Sequence, residues 1–471
     1  MEDWYNGKPL EDTQVDKKSG KRIETYPIKI NPIKGTCHKH AATVMGQSVD
    51  SIRFGGLPFQ LLPDITQGEK KARKKDIAII KDALMNVFVK NCFGATFLSN
   101  CINAQYLGGC VIAAKWLPQE ERIEISTPSP KQFYGIPDGA NYWILREAWI
   151  IKEITESDAK AYGYKPGFGE TKFWYIEHWT KKKYEIMING AVINFPDTDV
   201  PQKGKNVFGV VPIIYIPHIR TTGFIGDPII TETVKGVIKE MNLRMADMGD
   251  AVSDDAHGYT AVRNVRGTIK TINVGDGRPV LDLGGGIGIG NESDPDMFTV
   301  ATKSASEPMA KFSSDLYIIY RREVNHPAVA DGEDEGSQRS SLTLGVRMAP
   351  LVSEAEMERL FYSVGLVQFA GILLNIMFVK NLFNITKEML ETQFLVQWNS
   401  MLPKDREALT TEVAVRSKNK LGSNKHLMGL FGDIQDTDEE LDQIRSEKDL
   451  ITASTPFGGN VSKDKPPPKS V

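Results

Sequence analysis

Between Leu360 and Val379 the chain carries no charged residue, and Arg359 and Lys380 close the run at its two ends. A stretch of this length can cross a bilayer as a helix. A helix apolar on every side is stable in only two settings, a membrane or the interior of a large body. Ser363, Gln368 and Asn375 interrupt the run, Gly365 and Gly371 thin it, and no second span of this kind accompanies it. The expectation is a buried helix inside a large assembly, with a membrane-anchored oligomer using residues 360–379 as the alternative. Burying such a helix demands a wide apolar shell. The chain can supply one, having 471 residues of which 41% are apolar and 25% charged, ordinary values for a folded protein with room for roughly three domains.

The stretch from Asp227 to Ser341 is built the opposite way. Asp227 to about His257 reads as a polar helix, capped by Asp227 with Pro228 at its first position. Val234, Ile238, Met241, Met245, Met248 and Val252 recur at alternating spacings of four and three, which lays one narrow apolar seam along the helix. Such a helix leans on neighbours along one line and shows its other faces to water or to other subunits. A Gly-rich insert of strand character follows to about Lys303, with a turn at Gly275-Asp276-Gly277 and the basic residues Arg263, Arg266, Lys270 and Arg278. These four suit either a solvated surface or a docking face for an acidic partner. A second helix covers Ser304 to about Asn325, and an acidic, Gly-rich loop, AVADGEDEGSQRSS, ends at Ser341.

Elsewhere helices and strands alternate in blocks. Asn31 to Gly46 reads as a helix, followed by a turn around Gly55-Gly56 and Pro58. Ile77, Ile80, Leu84 and Val87 sit at helical spacing, a further helical stretch runs to Tyr106, and Gly108-Gly109 ends it before the apolar strand CVIAAKWL. From Ile123 to His218 strands dominate, with KFWYIEHWT and KKYEIMI followed by a hairpin turn at Asn189-Gly190 before AVINF. VFGVVPIIYIPHI holds Pro212 and Pro217, which puts it at a sheet edge or a bulge. After the acidic loop a long helix covers about Leu342 to Asn381, QFLVQW reads as a strand, and three C-terminal helices end in one that is acidic, Asp436 to Asp449. The last residues are rich in Pro, Gly and Lys and are expected to be disordered. The fold class is α+β.

Chemistry is harder to place. The chain contains no G-x-x-x-x-G-K-[ST], H-E-x-x-H or G-x-S-x-G. GGGIGIG at Gly284 to Gly290 has Ile289 where a dinucleotide loop needs its third glycine, and no helix opens directly after it. A nucleotide-binding enzyme is therefore the weaker alternative, and neither a catalytic residue nor a cofactor is expected. Asp331, Glu333, Asp334 and Glu335 do not follow the calcium-loop order, so a solvated loop is expected. Carboxylates in a mobile loop also suit a surface past which a phosphate backbone slides, because like charges repel. Gln338, Arg339, Ser340 and Ser341 add hydrogen-bond donors, giving weak contact that reads no sequence.

Cys37, Cys92, Cys101 and Cys110 form no C-x-x-C pair and read as buried free thiols. Cys37, His38 and His40 in GTCHKH are too few ligands from one short stretch to make a metal site, so no metal is expected. A formal net charge of -3 argues against a general polyanion binder, though not against a protein that encloses nucleic acid without gripping it. The charged opening MEDWYNGKPLEDT has no apolar core, so no secretory signal is expected.

The succession of parts is more informative than any motif. A body, a polar helix going out, a small strand-rich insert, a helix coming back, a flexible loop and a long helix resemble, in that order, the portal proteins of tailed bacteriophages. The local matches are NVFGVVPIIYIPH followed by GDP and the polar helix, the loop leading to the long helix, and the C-terminal series LPKDREAL, LGSNKHLMGLFG and DTDEELDQIRSEK. The resemblance covers about Asn31 to Asp449. It implies a flexible N-terminal arm (1–30), an α+β wing (31–226), a first stem helix (227–257), a clip (258–303), a second stem helix (304–325), a tunnel loop (326–341), a long wing helix and strand (342–396), a short helical crown (397–453) and a disordered tail (454–471). It also implies a homo-oligomeric ring, typically a dodecamer, at one capsid vertex of the virion, assembled in the host cytoplasm. Double-stranded DNA would pass through it during packaging and ejection. The implied partners are the terminase large subunit, head-completion or adaptor proteins, and major capsid and scaffolding proteins, with the ATPase belonging to terminase and no membrane involved. Carried over by position, Val329 to Ser341 form the DNA-facing tunnel loop, and the basic residues of the insert face the docking partners.

Overall fold

The computed structural model describes residues 1–8, 30–46, 57–63, 73–139, 141–193, 203–257, 259–263, 281–282, 296–300, 306–332, 341–402, 406–429, 440–441 and 443–446. In chain order the described helices are α1 (Glu2–Tyr5), α2 (Ile33–Met45), α3 (Lys74–Lys90), α4 (Phe93–Leu107), α5 (Glu156–Ala161), α6 (Glu232–His257), α7 (Ser306–Glu323), α8 (Ser341–Val379), α9 (Arg406–Lys418) and α10 (Asn424–Gly429). The chain divides into two compact units, Met1–Met401 and Leu402–Val471.

The first unit is layered around β2 (Gly109–Leu117), the middle strand of an antiparallel sheet between β10 (Ile213–Pro217) and β3 (Arg122–Ser126). Cys110, Ile112 and Ala114 of β2 face the helical core, whereas Val111 and Ala113 face a second core against a larger sheet. A strand covered on both faces reads as a continuous apolar run rather than as an alternation, and this accounts for the composition of CVIAAKWL. The larger sheet is antiparallel, in the order β4 (Phe133–Asp138), β5 (Asn141–Ile154), β6 (Phe173–Thr180), β7 (Lys183–Ile188), β8 (Ala191–Val192), with β9 (Lys203–Lys205) also paired to β7. Its expected hairpin turn is present, with Asn189 and Gly190 at φ 47 and 81. Two positive φ angles in succession match a type I′ turn. The strand holding Pro217 lies at a sheet edge, as its prolines require.

The uncharged run forms the second half of α8. Tyr362, Leu366, Phe369, Leu373 and Ile376 lie on one face and are buried in the main core with Phe59, Phe93 and Phe97. Phe97 meets Tyr362 edge-on at 5.4 Å and Phe59 at 5.6 Å. Each such side chain contributes roughly 1.5–3 kcal/mol of burial, so this face anchors the unit. At Gly365 an added Cβ would lie 2.4 Å from Ile216 Cγ1, which is why β10 can approach the helix so closely. By length and composition Leu344–Val379 could cross a membrane, but half of its most apolar part is buried inside the protein.

Three expectations need correction. The polar helix begins at Glu232 rather than Asp227, and its first turn is capped by Thr231, whose Oγ1 accepts from the Val234 N–H at 3.2 Å. Residues 227–230 are held otherwise: the Asp227 N–H donates to Ile219 O, the Ile229 N–H donates to Gln105 O, and Ile229 and Ile230 are buried. The segment read as a turn around Pro58 continues into a strand, β1 (Phe59–Pro63), antiparallel to β14 (Phe394–Trp398). Because β14 belongs to the first unit, the C-terminal part begins at Leu402 rather than near Gln397. In the second unit α9 and α10 are helical, as are residues 440, 441 and 443–446 within the expected acidic helix. The tail after Asp449 lies outside the described residues.

Candidate functional site: the helix pair and the turn at its base

Helices α6 and α7 pack against each other. Val234, Ile238 and Met241 near the start of α6 share a core with Leu316, Tyr320 and Val324 near the end of α7, so the two run antiparallel. Ile33 and Cys37 of α2 complete that core. Thr36 Oγ1 lies 2.7 Å from Tyr320 OH. Asn242 holds α6 to the chain entering α2: its Nδ2 donates to Ile30 O at 2.9 Å and its Oδ1 accepts from the Ile30 N–H at 2.8 Å. The expected flexible arm is partly docked here, since Tyr5 of α1 stacks on Tyr106 at 4.2 Å and its hydroxyl lies 2.8 Å from His38 Nε2.

The seam is covered only at this base. Val234, Ile238 and Met241 are buried, Met245 and Met248 are half-buried, and Val252 is 51% exposed. Leu243 on α6 and Phe312, Ile318 and Ile319 on α7 are also exposed. Further along α6, Arg244 pairs with Glu240 at 2.7 Å and with Asp247 at 2.8 Å. Beyond the helices lies a three-stranded sheet in the order β12 (Leu281–Asp282), β11 (Tyr259–Arg263), β13 (Asp296–Val300). Arg263 ends β11 opposite Asp296. Arg266, Lys270, Arg278 and the Gly284–Gly290 loop lie outside the described residues.

After α7 the chain turns through a short 3-10 helix, Ala328–Asp331, closed by Gly332 at φ 82. Asp331 is the hub of this turn. Its carboxylate accepts from His326 Nε2 at 3.0 Å, pairs with Arg321 Nη2 at 3.0 Å and with Lys39 Nζ of α2, and lies 3.4 Å from Tyr317 OH. Burial alone would raise its pKa, but Lys39 and His326 outweigh it and hold the carboxyl down at about 2. Only 18% of this side chain is exposed. The structure therefore places the first acid of the loop in an ion-pair cluster that ties the loop's base to α2 and α7. Glu333, Asp334, Glu335, Gln338, Arg339 and Ser340 lie outside the described residues.

Two further polar features escape the sequence. Between the sheets a cleft of about 950 Å³ is lined by Trp116, Trp179 and the Lys115–Glu177 pair. Glu177 also accepts from Tyr175 OH at 2.8 Å, so its charge is balanced within the fold. Where α2, α8 and the end of β10 meet, buried His40, Glu354 and Glu358 converge. Among the described residues they are the group able to hold a metal, and periodicity could not have brought them together, since His40 lies on α2 and the two glutamates on α8.

The family model described as phage portal protein, SPP1 Gp6-like, matches residues 63–452. No curated protein matches the chain in sequence. Among solved structures, a chain described as virion of native gene transfer agent (GTA) particle matches at 11% identity with a TM-score of 0.41, over 85% of this chain and 90% of that chain.

Proposed function

The chain belongs to the SPP1 Gp6-like phage portal protein family, and from that premise we propose that copies of it close into a ring at one capsid vertex, through which double-stranded DNA is packaged and ejected. In this reading the first unit outside the helix pair is the wing, α6 and α7 are the stem, the β11–β13 sheet is the clip, and the second unit is a short crown. Asp331 fixes the base of the tunnel loop, and Glu333, Asp334 and Glu335 with Gln338, Arg339 and Ser340 face the DNA. Terminase docks on the clip through Arg263, Arg266, Lys270 and Arg278 while the head fills, and head-completion proteins take its place afterwards. Capsid and scaffolding proteins surround the wing. The chain acts as a structural element, with ATP hydrolysis left to terminase.

The observation that carries the ring is the uncovered part of the helix pair. Leu243, Val252, Phe312, Ile318 and Ile319 are exposed on helices whose facing sides bury Val234, Ile238, Met241, Leu316 and Tyr320. Apolar side chains repeated along one element and left uncovered mark a protein contact, and side-by-side copies of the same pair would cover them. Light scattering of the purified chain tests this. Wild-type protein should have the mass of a closed oligomer, and a Leu243→Glu, Ile319→Glu double variant should be a folded monomer. A double variant that still assembles would place the subunit contact elsewhere.

A further inference from the structure

Helix α8 carries Glu354 and Glu358 one turn apart, both buried, at 7% and 0% exposed. Two carboxylates on one helix face repel, and burying a carboxylate without a cation is costly. Among the described residues no lysine or arginine answers either of them. Arg359, next in sequence, turns away: its Nε and Nη2 donate to Val44 O at 2.9 and 2.7 Å, and its Nη1 donates to Asn399 O. Lys39 is spent on Asp331.

Two imidazoles face the carboxylates instead. His40, 1% exposed, has Nδ1 4.0 Å from Glu354 Oε2, and neither of its ring nitrogens makes a hydrogen bond of acceptable geometry. Burial, reinforced by the neighbouring His326 and His218, lowers the His40 pKa to about 3, which leaves a neutral ring with a free lone pair. His218, 2% exposed, has Nδ1 2.8 Å from Asp227 O, so Nδ1 carries the proton donated to that carbonyl. That bond turns Nε2 toward Glu358 Oε1, with which the ring pairs at 3.2 Å; burial alone would lower the His218 pKa, but Glu358 outweighs it and raises it. The far oxygen of Glu358 is also positioned, since Oε2 accepts from Gln105 Nε2 at 2.7 Å.

We propose that His40, Glu354 and Glu358 form a buried binding site for a divalent cation of the zinc class, with His218 paired to Glu358 at its edge. One imidazole nitrogen and two carboxylate oxygens, all within 4.8 Å of one another, can supply three of the four ligands that zinc prefers, with water completing the set. Calcium is disfavoured because it needs six to eight oxygen ligands, and magnesium because it prefers a largely hydrated oxygen shell. The ligands come from α2 and α8. His40 also stacks on His326 at 6.1 Å, in the turn held by Asp331. A cation here would pin the long helix to the body at the base of the helix pair. Of the three neighbours in GTCHKH, only His40 takes part: Cys37 packs in the core of the helix pair, and His38 meets Tyr5.

The test uses the full-length chain, freed of any affinity tag and stripped with chelator, then given zinc chloride and desalted. Metal content by mass spectrometry should be about one zinc per chain, and zinc should raise the midpoint of thermal unfolding. Glu358→Gln and His40→Gln, each checked for a native circular dichroism spectrum, should weaken zinc binding at least about 100-fold. Glu354→Gln serves if either variant fails to fold. Wild-type protein that retains no zinc and shows no thermal shift would overturn the assignment, as would equal zinc content in the variants or a preference for calcium or magnesium.

Discussion

At the residue scale the clearest case is Asp331, which sequence reading assigns to a solvated acidic loop and which the structure surrounds with Lys39, Arg321 and His326. Replacing it with Asn should destabilise the chain by about 2 kcal/mol at neutral pH, the scale of hydrogen bonds to charged groups. Its pKa is depressed, so its contribution is complete above the ordinary aspartate value of about 3.9 and is lost as pH falls toward the folded value of about 2. Denaturant unfolding of wild type and Asp331→Asn should therefore differ at pH 7 and converge in acid. A gap that persists unchanged to pH 2 would show that the carboxylate's charge is not what matters. Gly365 and Gly371 make a second pair of contrasts. Alanine at Gly365 would strike Ile216 and should cost roughly 1–3 kcal/mol. At Gly371 nothing lies within 4 Å, so alanine should stabilise by about 0.5–1 kcal/mol, readable as opposite shifts in thermal unfolding. Nothing in the sequence separates these two glycines, because the difference is the proximity of β10.

At the scale of elements, local pattern succeeded where burial follows periodicity. The hairpin at Asn189-Gly190 and the apolar strand at β2 were legible, since each depends on near neighbours in sequence, while of the six seam residues of α6 only Val234, Ile238 and Met241 are buried. Pattern failed where a partner lies far away. β1 pairs with β14 across most of the first unit's length, and the entry to α6 is extended because Ile229 and Ile230 are buried and the Ile229 N–H is taken by Gln105. The buried Glu354 and Glu358 were equally hidden, since nothing in their local sequence marks them as buried. The loop and the sheet beyond the helices carry separate predictions. Shortening 333–340 while keeping Asp331 should leave oligomer formation intact and reduce DNA packaging, as measured by DNA protected inside particles; loss of the oligomer would make the loop a subunit contact. Arg263→Glu with Arg266→Glu should weaken capture of the terminase large subunit at least about tenfold, on the basis that a few charged anchors dominate such contacts. Unchanged capture would move docking off this face.

At the scale of the whole molecule, the α+β class could be read because helices and strands fall in blocks along the chain, and the family model matches residues 63–452. The long apolar helix, the feature that admits either a membrane or a large body, resolves into two faces. One is buried with Phe93, Phe97 and Phe369, while the other leaves Leu360 69% exposed. The exposed apolar face of α8 and the exposed apolar residues of the helix pair are the surfaces that further copies of the chain would cover. Negative-stain electron microscopy of the purified protein tests this most directly. The account predicts rings of uniform diameter with a central hole; a monodisperse monomer at high protein concentration would contradict it.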